Sequence, residues 1–405
     1  MSVAQDVWLL DPEISFLNHG SFGSTPREVL EFQQQLQLRM ERRPMGFLVR
    51  ELEGELDKAR EHLAGFLGVN ASELVFVRNA TAGVNAVLRS LKLAPGDELL
   101  TTNHEYNASR NALEFVAARS GAQVVIADVP FPLSSESEIV DAILSATTER
   151  TRIVLIDHVT SQTGLVFPLE KLVAEMNVRG IDTLVDGAHG PGMLDLDIDA
   201  IGAAWYTGNC HKWICAPKGA AFLWSREDRL EEIRPISISH GANSRRSDRS
   251  RYHIEFDWVG TDDPTAVLAI PRALDFMGKL LPGGWSELRR RNHELVVEAR
   301  DILCEALEIE KPAPDSMLGS LAAVPLPDGR NNSGVVPALY GDPLQDRLLF
   351  AHHIEVPVVA WPSPPHRLIR VSAQIYNSRE QYEHLGEALK EELAREREGS
   401  QKCEC

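Results

Sequence analysis

Residues Asp186 to Lys212 read DGAHGPGMLDLDIDAIGAAWYTGNCHK, and the fold can be inferred outward from this segment. It begins where an apolar run, residues 181–185, ends in an acid. It finishes in a lysine that lies between His211 and Trp213. The apolar run predicts a buried strand, so Asp186 is expected at a strand end.

A strand-end carboxylate together with a lysine among small and aromatic residues suits pyridoxal phosphate chemistry. That cofactor needs an amine to hold its aldehyde as a Schiff base and an acid to keep its ring nitrogen protonated. Taken alone the pair is a weak signal, because aspartates at strand ends and lysines in loops are common. The rest of the chain decides between these two interpretations.

Composition and charge exclude several classes of function. The chain has 405 residues, of which 43% are apolar and 25% charged, as in an ordinary globular protein with a substantial core. The net charge of −18 argues against a nucleic-acid or anionic-membrane partner, since either would need a positive face. No apolar run approaches the roughly 20 residues of a membrane span, and the N-terminus shows no secretory signal. The cysteines are too scattered for a disulfide framework and predict a reduced, cytoplasmic compartment; they are Cys210, Cys215, Cys304, Cys403 and Cys405.

A phosphate site is predicted after the first buried strand, residues 74–77. This strand leads into a turn of small residues that contains Ala80 and Thr81, and then into an apolar helix. Free backbone N–H groups and the helix dipole at such a helix start favour an anion. Capping of the helix by Asn79 or Thr81 is the structural alternative, and both can hold together.

Strands alternate with helical stretches along residues 74–224, which predicts a doubly wound, mostly parallel α/β sheet. Such sheets bind ligands at the carboxyl ends of their strands. Three polar runs fall there: 104–107, 158–162 and 186–189. Within the first, Tyr106 can stack on a planar cofactor or serve as a core aromatic.

Pro282-Gly283-Gly284 predicts a domain boundary. We expect a large domain over residues 16–281, a smaller α+β domain over 1–15 and 282–395, and a disordered tail over 396–405. Between 240 and 263 the chain is rich in arginine and serine, and this segment either guides an anionic substrate or forms a solvated loop. Its arginines are Arg245, Arg246, Arg249 and Arg251.

With these segments in hand, the chain resembles the class V aminotransferase superfamily of pyridoxal phosphate enzymes, and within it the isopenicillin N epimerase-like group. The resemblance extends from N-H-G-S-F-G at residues 18–23 to R-V-S-A-Q-I-Y-N at 370–377. It implies fold type I, with a large sheet domain and a smaller C-terminal α+β domain. It also implies a homodimer with shared active sites.

The resemblance assigns roles to individual residues. Lys212 would carry the cofactor, Asp186 would hold its ring nitrogen, and Arg370 would clamp the substrate carboxylate. The loop that contains Asn18 and His19 would help to form the substrate pocket. The other positions implied at the cofactor are Ala80, Thr81, Tyr206 and Asn209 at the phosphate, Tyr106 on the ring, Ser161 and His189 near the phenolic oxygen, and Gly260-Thr261 reaching the partner's phosphate.

The implied reaction begins with abstraction of the Cα proton of an amino acid, with the freed Lys212 amine as base. His211, beside it, either helps this step or is a packing or capping histidine. Epimerisation is expected, with C–S cleavage of a sulfur amino acid as the alternative and transamination ranked behind. A cysteine desulfurase is disfavoured because no cysteine lies between Cys304 and Cys403. A metal-dependent hydrolase is disfavoured because no H-E-x-x-H motif occurs among the 13 histidines. An inactive binding module is disfavoured because Lys212, Asp186 and Arg370 are all present.

Overall fold

The computed structural model describes residues 7–329 and 341–401. Within them no helix is both long and apolar enough to cross a membrane. The α-helices are α1 (His19–Phe22), α2 (Arg27–Arg42), α3 (Leu52–Leu67), α4 (Ala80–Ser90), α5 (Asn107–Ser120), α6 (Glu136–Ala146), α7 (Leu169–Val178), α8 (Ile198–Ile201), α9 (Arg251–Phe256), α10 (Thr265–Leu268), α11 (Ile270–Lys279), α12 (Gly284–Leu307), α13 (Pro343–His352) and α14 (Arg379–Gln401). The strands are β1 (Ser15–Phe16), β2 (Leu74–Val77), β3 (Glu98–Thr102), β4 (Gln123–Ala127), β5 (Thr151–Asp157), β6 (Asp182–Asp186), β7 (Trp205–Asn209), β8 (Ala221–Ser225), β9 (Leu321–Leu326), β10 (Ile354–Glu355), β11 (Val358–Ala360) and β12 (Arg367–Ser372).

A seven-stranded sheet in the order β2-β8-β7-β6-β5-β3-β4 forms the centre of the molecule. Neighbours from β7 to β4 are parallel, whereas β8 runs antiparallel to both β7 and β2. Alternate side chains of β5 enter two different apolar clusters, Ile153 and Leu155 on one face and Val154 and Ile156 on the other. Both faces of the sheet are therefore buried under helices. The predicted α/β class with a large, mostly parallel sheet is confirmed.

A second core lies in the C-terminal part of the chain. Strands β11, β12 and β9 form an antiparallel sheet, which shares an apolar cluster with α12, α13 and α14. The N-terminal strand β1 pairs in parallel with β10, and Leu17 joins this same cluster. Helix α12 begins at Gly284, beside the boundary predicted at residue 282.

Three local predictions need correction. The predicted loop over residues 17–23 contains helix α1, which is closed by a hydrogen bond from Gly23 N to His19 O. Residues 48–67 are rich in charge and stop at Gly68, which predicts one helix, but the helix begins as a π-helix, Gly46–Glu51, before α3. It ends as predicted, because Gly68 adopts φ 69° as a left-handed cap. Helix α14 continues to Gln401, past the boundary predicted at 395. Residues 402–405 of the predicted disordered tail lie outside the described residues.

Candidate active site

A cavity of about 590 Å³ opens at the carboxyl ends of the parallel strands, where the sequence predicts a ligand site. Three neighbouring strands end in residues that line it: Asp157 on β5, Asp186 on β6 and Asn209 on β7. The predicted site residues that line this cavity are Ala80, Thr81, Tyr106, Ser161, Asp186, His189, Asn209 and Lys212.

Lys212 is buried in this cavity, with its Nζ 3.0 Å from His189 Nε2. Burial, assisted by the positive charge of Arg370, lowers the pKa of Lys212 to about 7, against the opposing charges of Asp186 and Asp157. An amine with this pKa is substantially neutral near pH 7. Only the neutral amine can attack a carbonyl carbon or accept a proton.

The proton position on His189 is fixed by its second neighbour. Trp213 Nε1 donates to His189 Nδ1 at 3.3 Å, and an indole N–H can only donate. Burial and the nearby charge of Lys212 hold the pKa of His189 well below its usual value, so the ring is neutral. Its one proton therefore lies on Nε2, which faces the Lys212 amine.

Asp186 is held as a fixed acceptor at the end of β6. Ser109 Oγ donates to its Oδ2 at 2.7 Å, and the backbone N–H of Ala188 donates to Oδ1 at 3.1 Å. Burial raises the pKa of Asp186, while these two hydrogen bonds and the Lys212 charge oppose the shift. A carboxylate placed in this way can hold a protonated ring nitrogen in the cavity.

The start of helix α4 forms the other end of the cavity. Asn79 caps the helix by accepting from Ala82 N at 2.8 Å, as the capping alternative requires. Asn209 Oδ1 accepts from Ala80 N at 2.9 Å, which ties the helix start to the end of β7. Ala80 and Thr81 thus lie at a helix N-terminus that opens into the cavity, a favourable position for a phosphate.

Two further basic residues line the cavity near this helix start. Lys218 Nζ donates to Gly23 O at 2.9 Å, and burial lowers the pKa of Lys218. His211 Nδ1 lies 3.1 Å from Ala220 O, so the ring nitrogen must be the donor. Burial lowers the pKa of His211 to about 4, so the ring is neutral with its proton on Nδ1.

Arg370 reaches the site from strand β12 of the C-terminal sheet. Its Nη1 donates to Ser161 O at 2.6 Å, and its Nη2 donates to Ser21 Oγ at 2.6 Å and Asn18 Oδ1 at 3.2 Å. Ser21 Oγ in turn donates to Asn18 Oδ1 at 2.5 Å. Asn18 therefore orients the guanidinium, and the role of Arg370 as a carboxylate clamp stays a prediction.

His19 does not line the cavity. Its Nε2 lies 3.1 Å from the Lys212 backbone oxygen and its Nδ1 lies 2.7 Å from Tyr376 Oη. Burial lowers the pKa of His19 to about 3. Helix α1 turns this ring inward, so it supports the lysine loop. Close by, Gly23 has φ +68°, and a Cβ there would lie 2.1 Å from His211 O.

Tyr206, Gly260 and Thr261 also lie outside the Lys212 cavity. The Tyr206 ring is buried beneath the end of β6, with its hydroxyl 2.9 Å from His158 Nδ1. A Cβ on Gly187 would lie 2.1 Å from that ring, so only glycine fits there. Gly260 borders a different cavity of about 260 Å³, and Thr261 is exposed. The role predicted for Gly260 and Thr261 requires a partner subunit and stays a prediction.

The structure distinguishes Tyr106 from His104, a second ring within the polar run at 104–107. His104 is buried between Thr163 and the Val129 carbonyl, at 2.7 Å and 3.1 Å, and packs on Trp361. Tyr106 borders the cavity and is 37% exposed. Of the two rings, only that of Tyr106 lies at the cavity surface, and its stacking on the cofactor ring stays a prediction.

The arginine-rich segment forms ion pairs within the protein. Arg246, Arg249 and Arg251 each contact carboxylates of this chain, which favours a structural role over substrate guidance. The acids that they contact are Glu53, Asp57, Glu231, Asp248, Glu255 and Asp257.

The site and its surroundings also contain residues that the sequence did not predict: Ser109, Asp157, Trp213, Lys218 and Glu105. Asp157 is the last residue of β5 and directly precedes the polar run at 158–162. Extending that run by one residue toward the N-terminus would have included it. Trp213 stands beside the lysine, but its contact with His189 depends on how two loops meet. Ser109 lies one turn into α5 and carried no sequence signal.

A buried lysine of lowered pKa and a strand-end carboxylate share one α/β cleft, and an arginine is bonded to the cleft wall. These groups are typical of enzymes in which an amine is the nucleophile. The chain belongs to the class-V aminotransferase family, whose model matches residues 23–385. The predicted membership is confirmed.

Relatives named for two different activities match nearly the whole chain. Isopenicillin N epimerase of Amycolatopsis lactamdurans is 38% identical over 396 residues, which cover 94% of this chain and 96% of that protein. The probable chloroplastic L-cysteine desulfhydrase of Arabidopsis thaliana is 32% identical over 400 residues, 94% of this chain and 83% of that protein. Among solved structures, a cystine C-S lyase in complex with cysteine persulfide has a TM-score of 0.75 at 22% identity, covering 93% of this chain and 97% of that one. This last likeness concerns the fold.

Proposed function

We propose that this protein is a pyridoxal phosphate enzyme that removes the Cα proton of an amino-acid substrate, with an epimerase-like outcome. The observation that carries the proposal is that Lys212 and Asp186 line one cavity, whose wall residues Ser161 and Ser21 bind Arg370. The 38% identity to an isopenicillin N epimerase over nearly the whole chain supports the epimerase outcome.

The cavity offers a partner for each part of this cofactor. Lys212 supplies an amine that is substantially neutral near pH 7. Asp186 supplies a fixed acceptor for the ring nitrogen. The start of α4 at Ala80 and Thr81 favours the phosphate, with Lys218 lining the same cavity. Because these groups lie in one cavity, their chemistry fits the cofactor as a set.

When bound, pyridoxal phosphate withdraws electrons from the Cα of the attached amino acid. The protein's own residues then do the remaining work. Arg370 binds the substrate carboxylate, since its fork is held in place by Ser161 and Asn18. Lys212 accepts the Cα proton, because its lowered pKa leaves it neutral near pH 7. His189, with its proton on Nε2, donates a hydrogen bond into the cavity.

A C–S lyase is the second candidate function. It is supported by the 32% identity to a probable L-cysteine desulfhydrase that also covers 94% of this chain. β-Elimination needs one base at Cα and a leaving group at Cβ, whereas epimerisation needs a second proton donor on the opposite face. Tyr106, which borders the cavity, is the candidate for that second donor.

The protein is further proposed to act as a homodimer in the cytoplasm. Gly260 and Thr261 lie away from the Lys212 cavity of their own chain, which leaves them available to complete the site of a second copy. Three cysteines in the described part of the chain are free and buried, which supports a reducing compartment; they are Cys210, Cys215 and Cys304.

A substrate panel in deuterated water tests the reaction. Isopenicillin N, cysteine, cysteine sulfoxides and ordinary amino acids are each scored for deuterium at Cα, loss of chirality and release of pyruvate. The proposal expects deuterium with loss of chirality and no pyruvate. Pyruvate from a sulfur substrate would instead establish the lyase. The Lys212→Ala variant must abolish either signal, while Lys218→Ala, a matched lysine in the same cavity, retains the proton exchange with weaker cofactor binding.

A further inference from the structure

Behind Asp186 lie two more buried carboxyl groups, Glu105 and Asp157. Strands β3, β5 and β6 are neighbours, and Asp157 pairs in register with Asp186. One carboxylate oxygen from each of the three acids lies within 4.8 Å of the other two. All three side chains are at most 4% exposed. Three negative charges at this spacing and depth cannot all persist without compensation.

The three acids differ in their hydrogen bonds. Both oxygens of Asp186 accept hydrogen bonds, from Ser109 and from the Ala188 backbone. Glu105 Oε2 accepts from Thr101 Oγ1 at 3.0 Å, but its Oε1 has no partner within the described residues.

Asp157 also has a carboxylate oxygen that makes no hydrogen bond: its Oδ2 is buried without a partner among the described residues. The backbone N–H of Tyr106 lies within bonding reach of both Glu105 and Asp157. Buried polar atoms without partners are rare in folded proteins. A proton on either carboxyl group would supply the missing donor.

The charges around the cluster act in opposite directions. The positive charge of Lys212 lowers the pKa of Asp157 and of Asp186 and so opposes protonation, whereas the Tyr206 phenol next to Asp186 is neutral because burial raises its pKa well above the usual value. Burial, and then the charges of the neighbouring acids, raise the pKa values of Glu105 and Asp157 well above their usual range.

We propose that Glu105 and Asp157 form a proton-holding carboxyl pair that keeps the negative charge of the cluster on Asp186. Both are positioning residues that act through Asp186; Asp157 lines the Lys212 cavity next to Asp186, and Glu105 lies outside its lining. Asp186 is the member that lies against two fixed donors and can serve a protonated ring nitrogen. This last consequence rests on the proposed function, whereas the proton pair itself is a property of the cofactor-free protein.

A folded state that holds extra protons loses stability as pH rises. Unfolded carboxyl groups titrate near about pH 4, so above that pH the folded protein binds more protons than the unfolded chain. Each proton held in the folded state makes the unfolding equilibrium constant rise about tenfold per pH unit, up to the folded-state pKa. Replacing Glu105 or Asp157 by the neutral amide of the same shape removes that dependence.

The test is urea unfolding of the cofactor-free protein between about pH 5 and 8. Glu105→Gln, Asp157→Asn and the double variant are compared with wild type and with Glu170→Gln, an exposed acid on α7. The histidines that burial keeps neutral, among them His19, His189 and His211, add a slope of the opposite sign that all variants share, so each variant is compared with wild type. We expect the logarithm of the unfolding constant to rise less steeply with pH in the Glu105 and Asp157 variants than in wild type, by about one per pH unit for each proton removed, and to keep the wild-type slope in Glu170→Gln. If the double variant has the same pH slope of unfolding as wild type, the proposal of a proton-holding pair is wrong.

A second readout covers variants that fail to fold. Infrared spectra of wild type at neutral pH should contain a band from a protonated carboxyl group, and its absence would overturn the proposal without any mutation. A rise of the unfolding midpoint in millimolar magnesium, lost in Asp157→Asn, would assign the cluster to a metal and also overturn the proposal.

Pyridoxal phosphate titration of the same samples separates the two proposals. If the Glu105 and Asp157 variants change the pH dependence of unfolding as expected but wild type does not bind pyridoxal phosphate, the proton-holding pair is supported and the proposed function is refuted.

Discussion

Replacing Trp213 by phenylalanine should raise the pKa of Lys212. The change removes the N–H that donates to His189 Nδ1 while it keeps an aromatic ring against His19, whose centroid is 4.9 Å away. Without that donor, the imidazole proton is free to move from Nε2 to Nδ1. Nε2 then becomes an acceptor that faces the Lys212 amine at 3.0 Å.

The size of the effect follows from the two hydrogen bonds that compete. In wild type, His189 Nε2–H donates to a neutral amine, a neutral bond with a net contribution of about 1 kcal/mol. In Trp213→Phe, a charged Lys212 can donate to Nε2, and bonds of this kind contribute about 1.5–3 kcal/mol. Because about 1.4 kcal/mol corresponds to one pKa unit, the pKa of Lys212 should rise by roughly one unit from its value of about 7.

The assay is the pH dependence of lysine acylation in the cofactor-free protein, with Lys212 followed by peptide mapping. The midpoint of its reactivity should move to higher pH in Trp213→Phe. Trp285→Phe is the matched control, because it removes an indole bond to Leu274 O at 3.2 Å away from the site. A midpoint that is unchanged or lower in Trp213→Phe would refute the assignment of the His189 proton to Nε2.

Three further changes have defined outcomes. Gly23→Ala should destabilise the protein by about 3 kcal/mol or more in urea unfolding, because φ is +68° and the Cβ would meet a backbone oxygen at 2.1 Å. Arg370→Gln should raise the pKa of Lys212 by removing a positive charge, and should lower kcat/KM at least about 100-fold through loss of carboxylate binding. Ser109→Ala should weaken cofactor binding about tenfold in titrations of the cofactor-free protein, because it removes a buried bond of 2.7 Å to Asp186.

Each of these changes has a control within the chain. Gly96 has φ +89°, and a Cβ there would have no atom within 4 Å, so Gly96→Ala measures backbone strain without the clash. Equal losses in Gly23→Ala and Gly96→Ala would contradict the close-approach explanation. Arg370→Lys keeps the charge but loses the fork, so it should preserve the Lys212 pKa and still impair substrate binding. Ser120→Ala removes a serine bond at the far end of α5 and should leave cofactor affinity intact.

The sequence was sufficient for features that depend on local pattern. Asp186 follows a buried strand, and Asn79 to Ala82 form a helix cap, so both could be placed from the order of strand, turn and helix. Parallel strands bring their carboxyl ends to one edge of a sheet, which is why three polar runs far apart in the chain converge on one cavity.

Side-chain direction could not be predicted in the same way. His19 and Asn18 are adjacent, yet helix α1 turns His19 beneath the Lys212 backbone and leaves Asn18 against Arg370. Tyr206 lies on β7, the strand that leads to Lys212, but its ring is buried against Gly187. These outcomes depend on contacts between segments that are far apart in the chain, and local periodicity carries no information about them.

Borohydride reduction after incubation with pyridoxal phosphate identifies the lysine on which the proposed function depends. Reduction fixes the cofactor covalently on the residue whose amine carries it, and peptide mass spectrometry then identifies that residue. We predict a single pyridoxyl adduct on Lys212, lost in Lys212→Ala and kept in Lys218→Ala. An adduct on Lys218 in wild type, or no adduct at all, would contradict the assignment of Lys212 as the cofactor-binding lysine.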